Sequence, residues 1–530
     1  MSTASLPLDV VTRAPGKNKW VIAIAVTFGT LMGTIDASIV NVALPHLRGT
    51  LSASLTEITW VSTGYVVASV IIMPLTAFFG SVFGRKRIYM GGLILFLVGS
   101  FFCGAARTLP LLVFFRILQG FGAGALQPTE QAILRETFPP EEQGMAMGLY
   151  GFAIMLGPAI GPTLGGYIVD NFSWPWIFYI NIPVGLIGLF MVWRVVEDPP
   201  YLERAKAGKY DFMGIGLLVA GLAALQTLLE RGQETDWFDS WTNVGLAFFA
   251  AVVLILFVIQ ELNAEQPAVN LRVLKDRSFS TGTAIGAVLG AVLFSTLFLL
   301  PVYMQELLHF DAMQTGLALM PRSAAMLVTI PIVGYLYNKT SPRMVVAFGL
   351  FLGGVTCLQM SHFTLLTGRS EILWPQMLQG VALACIFIPL STVSLATIDK
   401  RVMSQATGLN NLVRQLGGSF GVAIFASLLL RYSQQARAVL VTHLGASDPM
   451  VYGRIAQMQQ AFQARGLDAG TAQQIALRAL DGQVSAQSAM LAFERCFAIG
   501  GFLFFFSIPL LLLLSPGRPE TSGEPHAVEI

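Results

Sequence analysis

Asp36, Arg116, Glu130 and Arg414 are ionisable side chains that stand inside long apolar runs. A charge placed there costs a few kcal/mol or more, so each needs a partner or a task. A guanidinium beside a carboxylate stabilises its charged form, and a proton or a bound cation can take over that neutralising role. Asp36 lies nine residues before Pro45 and Arg116 six after Pro110. That is about 13 Å and about 9 Å along their helices. The similar depths allow the two to meet, either as a structural ion pair or as a site that binds and releases a proton. Arg116, Gln119, Gly120, Ala123, Gln127 and Glu130 recur at spacings of three and four, on one helix face. A polar stripe of that length is expected to face a wet cavity. Glu130 reads as a second proton or cation site, or as an interfacial carboxylate beside Arg135.

Two more stripes belong to the same reading. Thr27, Thr30, Thr34, Ser38 and Asn41 share one face, while Asp36 sits off it, nearer Gly29 and Gly33. That helix therefore touches both a cavity and a close-packed neighbour, and spacing leaves open which of them Asp36 sees. Asn410, Asn411, Arg414, Gly418 and Gly421 share a third face, with Arg414 about 18 Å from its helix end. Thr34, Ser38, Asn41, Gln119, Gln127, Asn411 and Arg414 are the candidate cavity-lining residues. Arg322 follows Pro321, and packing or ligand contact are equally open to it.

The rest of the chain says what must position these groups. Of 530 residues 54% are hydrophobic and only 12% charged, with mean hydropathy +0.67. Charge this scarce does not cover a soluble globule, and disorder is excluded as well. A formal net charge of +2 leaves no electrostatic footprint for nucleic acid. Cys103, Cys357, Cys385 and Cys496 all lie in apolar runs, with no CxxC. The histidines at 46, 309, 362, 443 and 526 are scattered, so neither a metal site nor a catalytic cluster is expected. No phosphate-binding glycine loop is present, which leaves ATP out as a driver. The expected cofactor list is empty, and an enzyme is not expected.

A hydrocarbon core of about 30 Å takes about 20 apolar residues to cross as a helix. Runs of that kind fall at 20–44, 57–80, 87–106, 110–134, 144–169, 175–194, 212–230, 242–261, 279–304, 314–337, 344–363, 372–396, 403–430 and 489–514. The first run is too long for a signal peptide and lacks a cleavage-like site. With alternating spans, nineteen Lys and Arg fall on the side of the termini and four in the short loops opposite. Basic residues concentrate on the cytoplasmic side, so both termini are expected there.

The chain also repeats. Leu118-Gln119-Gly120 in span 4 returns as Leu378-Gln379-Gly380 in span 12. Gly148-Leu149, Leu156-Gly157 and Gly161 of span 5 return at the same shift of 260 as Gly408-Leu409, Leu416-Gly417 and Gly421 of span 13. The copies lie eight spans apart, an even number, so they point the same way. This is the parallel repeat of a two-half transporter. Spans 1–6 and 9–14 form the copies and spans 7 and 8 are an insertion. The expected divisions are a six-helix bundle over 1–196, the insertion over 197–277, a second bundle over 278–514 and a tail over 515–530. Arg116 falls opposite Gln376 and Arg414 opposite Ile154, so proton handling is expected in the first half.

At this point the residues resemble a family. Asp36-Ala-Ser-Ile-Val-Asn41-Val-Ala-Leu-Pro45, Arg116-Ile-Leu-Gln-Gly120 and Gly157-Pro158-Ala-Ile-Gly161-Pro162-Thr-Leu-Gly165-Gly166 look like the motifs of spans 1, 4 and 5 in the 14-span drug:proton antiporters of the major facilitator superfamily. Trp174-Pro-Trp176-Ile-Phe-Tyr-Ile-Asn181-Ile-Pro183 also matches, and EmrB-like exporters are the subgroup it is similar to. The resemblance implies an all-α major-facilitator fold in the cell (inner) membrane. It implies export of amphipathic or cationic small molecules such as drugs, driven by a proton gradient. A dedicated exporter of one metabolite or siderophore, or an uncoupled facilitator, is the alternative. Asp36, Arg116 and Glu130 are then the candidate proton-coupling residues. Gly157, Pro158, Gly161, Pro162 and Gly165 would form a hinge and seal against the opposite half, or a plain packing face. One motif departs. After span 2 the usual acid and arginine are replaced by Ser81 and Val82, ahead of Gly84-Arg85-Lys86, which puts the charge-based inner latch of the first half in doubt. The outer loop 431–487 carries Val451, Ile455, Met458 and Phe462 at helical spacing. It reads as one or two helices, either a surface cap or a docking site for a periplasmic adaptor leading to an outer-membrane channel.

Overall fold

The computed structural model describes residues 18–198, 211–264, 267–395, 397–398, 402–444 and 449–513. The tail expected over 515–530 lies outside them, as do Arg13, Lys17, Arg204, Lys206, Lys209, Lys400, Arg401 and Arg518. Every regular element among the described residues is helical. In hydrocarbon each backbone N–H and C=O must find a partner within the protein, and a helix supplies it from its own segment.

Fourteen helical segments are long and apolar enough to cross a membrane, the sixth with the short helix Trp176–Tyr179 leading into it, and each of the fourteen expected runs overlaps one of them. They are α1 (Lys19–Thr50), α2 (Trp60–Phe83), α3 (Arg85–Ala105), α4 (Leu109–Thr137), α5 (Pro140–Asn171), α6 (Asn181–Val195), α7 (Phe212–Arg231), α8 (Trp241–Asn263), α9 (Arg277–Val302), α10 (Ala312–Lys339), α11 (Pro342–Met360), α12 (Arg369–Ser394), α13 (Met403–Thr442) and α14 (Ala469–Ser507). Several starts are capped by a carboxylate that satisfies a free N–H. Asp211 accepts from Gly214, Asp276 from Phe279 and Asp311 from Gln314.

Packing repeats with the same shift of eight as the sequence. α1 lies on α5 and α6, and α9 on α13 and α14. α2 lies on α4, and α10 on α12. The repeated glycines explain the match. A Cβ at Gly120 would strike the Tyr65 carbonyl of α2, and one at Gly380 the Arg322 carbonyl of α10. A side chain at Gly157 or Gly161 would strike Thr34 or Ser38 of α1, and one at Gly417 or Gly421 the Ala287 or Ala291 backbone of α9. Between halves, α5 on α10 is mirrored by α13 on α2, and α4 on α13 by α12 on α5. The inserted pair breaks this symmetry, because α7 leans on both α2 and α13.

The long loop is built differently from two free-standing helices. α13 and α14 simply continue past the apolar runs, to 40 and 39 residues, and Arg437 pairs with Asp481 between them at 2.6 Å. No proline or glycine interrupts 422–444, so nothing stops the α13 helix where its apolar stretch ends. One short helix, Pro449–Gln463, lies against α14, with Val451, Ile455, Met458 and Phe462 half-buried.

Candidate functional site

Asp36 and Arg116 meet inside the N-terminal half. Arg116 Nη1 donates to Asp36 Oδ2 at 2.5 Å, with the two side chains 1% and 0% exposed. The other oxygen, Oδ1, accepts from Gln119 Nε2 at 2.9 Å and from Asn181 Nδ2 at 2.8 Å. Both amides also donate to Ser100 Oγ, at 3.2 and 3.0 Å, and that hydroxyl donates to the Phe178 carbonyl. Arg116 also donates to the Val61 carbonyl (Nε, 3.0 Å) and to Gln119 Oε1 (Nη1, 2.8 Å). Its guanidinium lies 4.1 Å from the Tyr65 ring centre, and the Tyr65 hydroxyl ties back to the Gly33 carbonyl of α1. One carboxylate thus joins α1, α4 and α6 directly, and reaches α2 and α3 through its partners.

Asn181, Ser100 and Tyr65 have no place among the residues singled out from the sequence. Asn181 was visible as part of the Trp174–Pro183 motif, with no role attached. Ser100 and Tyr65 carry no periodic or motif signal, since only the fold brings α2 and α3 to this point.

Glu130 forms a second buried centre further along α4. Its oxygens accept from Thr27 Oγ1 at 2.9 Å and from the Thr30 hydroxyl. No basic side chain among the described residues pairs with it. The alternative of an interfacial carboxylate beside Arg135 is therefore corrected: Glu130 is wholly buried, and Arg135 instead donates to the Ser391 carbonyl of α12.

The cavity expectation is corrected too. The α4 stripe faces protein, because Arg116, Gln119 and Glu130 each find their polar partners across the α1–α4 seam. Gln119 belongs to the Asp36 centre, where it is wholly buried. Thr34 and Ser38 turn to α5, donating to the carbonyls of Ala153 at 3.2 Å and Gly157 at 3.0 Å. Asn41 is exposed at the far end and accepts from Ser62, and Gln127 is half-buried. The glycines Gly157, Gly161 and Gly165 face α1 of their own half, so they do not themselves seal against the other. That contact comes from the opposite side of α5, where Gly148 and Gly151 meet Ile330, Met326 and Phe387. Pro158 and Pro162 sit half-buried between these faces. Substituting Gly161 by Val should force α1 and α5 apart. A loss of about 1–3 kcal/mol is expected, read as a lower melting temperature in detergent, with Gly166→Val as the tolerated control.

On the side of the bundle that carries the basic loops, the two halves touch through polar groups. Asn411 Nδ2 donates to Gln131 Oε1 at 2.9 Å. Arg414 donates to Tyr150 Oη at 3.2 Å and to Asn411 Oδ1 at 2.8 Å. Asn411 is thus buried in a closed seam and not displayed to a cavity, while Arg414 stays half-buried beside a small cavity with Asn410, Ser391 and Ser394. On the same side the Gly84-Arg85-Lys86 motif is held within its own half. Arg85 pairs with Glu136, the Lys86 amide donates to Asp198 Oδ1 at 2.8 Å, and Lys86 Nζ donates to the Trp193 carbonyl at 2.7 Å. Gly84 has φ +91°, and a Cβ there would strike Asp198. Asp198 so places a carboxylate at this corner, where residue 81 is a serine.

The Major Facilitator Superfamily model matches residues 26–422. The chain belongs to the major facilitator superfamily. It is a multi-pass cell-membrane transporter and not an enzyme. This transporter is 31% identical over 498 residues to the multidrug export protein EmrB of Escherichia coli strain K12, covering 94% of this chain and 95% of that protein. It is 32% identical over 504 residues to the fatty acid resistance protein FarB of Neisseria gonorrhoeae, covering 95% and 97%. Among solved structures, the human organic anion transporter MFSD10 superposes with TM-score 0.60 at 13% identity, covering 94% of this chain and 100% of that one. The proton:xylose symporter XylE does so with TM-score 0.55 at 13% identity, covering 93% and 96%. These two likenesses concern the fold alone.

Proposed function

We propose that the transporter exports amphipathic small molecules from the cytoplasm in exchange for protons, with Asp36–Arg116 as the coupling centre and Glu130 as a second proton site. The observation that carries this is the fully buried pair and the five helices it ties together. While Asp36 is charged, Arg116 holds α4 to α1. A proton on Asp36 removes that attraction. α1 is seated on the α5 glycines and α5 on α10 of the other half, so a change at Asp36 has a contiguous packed route to the seam. Glu130 has only hydroxyl partners, and a bare carboxylate away from water is costly. A proton or an arriving cation is therefore its natural counter-charge.

The names of the relatives EmrB and FarB support export of toxic amphipaths. The excess of Lys and Arg at the closed end supports placing that end in the cytoplasm. The helical projection beyond α13 and α14 would then stand outside, where an adaptor could dock. Purified protein in liposomes with an imposed proton gradient should concentrate an amphipathic dye, and an uncoupler should stop it. Equal dye uptake with and without the uncoupler would reject coupling.

A further inference from the structure

The C-terminal half holds a second buried guanidinium that the Asp36 centre does not use. Arg322 on α10 is 0% exposed, and its Nη1 donates to Gln379 Oε1 of α12 at 3.2 Å. Its Nε and Nη2 meet no partner among the described residues. One turn before Gln379, Gln376 is also 0% exposed, and neither its oxygen nor its nitrogen has a partner there. Buried donors left unmet are costly, and a buried charge without a counter-charge more so.

The internal repeat identifies what is missing. Gly380 abuts the Arg322 carbonyl as Gly120 abuts the Tyr65 carbonyl. Arg322 therefore stands in the place of Tyr65, Gln379 in that of Gln119 and Gln376 in that of Arg116. In the first half, the guanidinium and the Gln119 amide both turn to Asp36 on α1. Its counterpart α9 has no Asp or Glu from Arg277 to Val302. The guanidinium has moved to the neighbouring helix, and the carboxylate is gone.

We infer that Arg322, Gln376 and Gln379 form a site for a carboxylate group supplied by the transported molecule. This rests on the export reading above. Nε and Nη2 are the two prongs that grip a carboxylate side-on, and the Gln376 amide adds a third donor. The site lies along the seam. Ser323, the next residue, donates to the Met155 carbonyl of α5 at 3.2 Å. Gln376 shares a face of α12 with Phe387, about three turns on, and Phe387 lies against Gly151 of α5 and 5.1 Å from the Arg414 guanidinium carbon. Arg414 donates to the neutral groups of Tyr150 and Asn411, so the C-terminal half holds two guanidinium groups with no carboxylate partner among the described residues and favours an acid over an amine.

The test is equilibrium binding of 2-naphthoate, 2-naphthamide and 2-naphthylmethylammonium to the full-length protein in nanodiscs, followed by naphthyl fluorescence. Wild type is expected to bind the acid at least tenfold more tightly than the other two. Arg322→Gln should erase that preference. Gln379→Glu should erase it too, by placing a carboxylate on the guanidinium without leaving a stranded charge, which guards against simple misfolding. A preference for naphthoate that survives Gln379→Glu, or its absence in wild type, overturns the proposal. Binding needs no proton gradient. Failure of gradient-driven dye transport with the preference intact counts against the export reading alone.

Discussion

Asp36→Asn is expected to abolish gradient-driven transport and to destabilise the N-terminal half by about 3–5 kcal/mol, the range for removing one partner of a buried ion pair. Asparagine retains an oxygen for the Gln119 and Asn181 amides, so the hydrogen-bond frame survives. What it cannot do is balance Arg116, which is 1% exposed and whose nearest groups are otherwise carbonyls, an amide and the Tyr65 ring. The loss is thus electrostatic and not steric. Pairing Asp36→Asn with Arg116→Gln should restore most of the stability while transport stays absent, because the coupling centre no longer holds a carboxylate that can take up a proton. Melting in detergent and dye transport in liposomes separate the two effects. A double variant no more stable than Asp36→Asn alone would show that the pair matters through packing instead.

Glu130→Gln should behave in the opposite way. Its partners are the hydroxyls of Thr27 and Thr30, which can accept from an amide as readily as they donate to a carboxylate. No cation is stranded by the change, so stability should move by no more than about 1 kcal/mol, the scale of one hydrogen bond. Gradient-driven transport should nevertheless fall at least tenfold while substrate still binds, since one proton site is gone. Transport at the wild-type rate would remove Glu130 from the coupling scheme and leave it as a buried strut between α1 and α4. The contrast between these carboxylates follows from their surroundings, one paired with a guanidinium and one not.

Much of this was legible in the residues themselves. The scarcity of charge and the spacing of apolar runs give fourteen helices, because a run of about 20 apolar residues crosses lipid with its backbone satisfied as a helix. The Leu-Gln-Gly repeat gives the two halves, since glycine is needed wherever α4 meets α2 and α12 meets α10. The similar depths of Asp36 and Arg116 allowed their contact, and the structure makes it. The destination of the polar stripes was not legible. Periodicity tells which residues share a face but not whether the neighbour is water or another helix. Here Arg116, Gln119 and Glu130 of the α4 stripe are satisfied by Asp36, Thr27 and Thr30, and Thr34 and Ser38 of the α1 stripe by α5 carbonyls. Asn181 and Ser100 escaped for a related reason: their contacts join different helices, which one helix's pattern does not encode. Asp198 escaped because it stands beyond α6, far from the motif whose corner it completes.

The central claim is that Asp36 exchanges its proton as substrate binds and leaves. The most direct measurement is proton release from the purified protein in weakly buffered detergent when an amphipathic substrate is added. Wild type should acidify the solution in proportion to the substrate bound. Asp36→Asn/Arg116→Gln, folded and still binding substrate, should release none through this site. Undiminished release from that double variant would contradict the account.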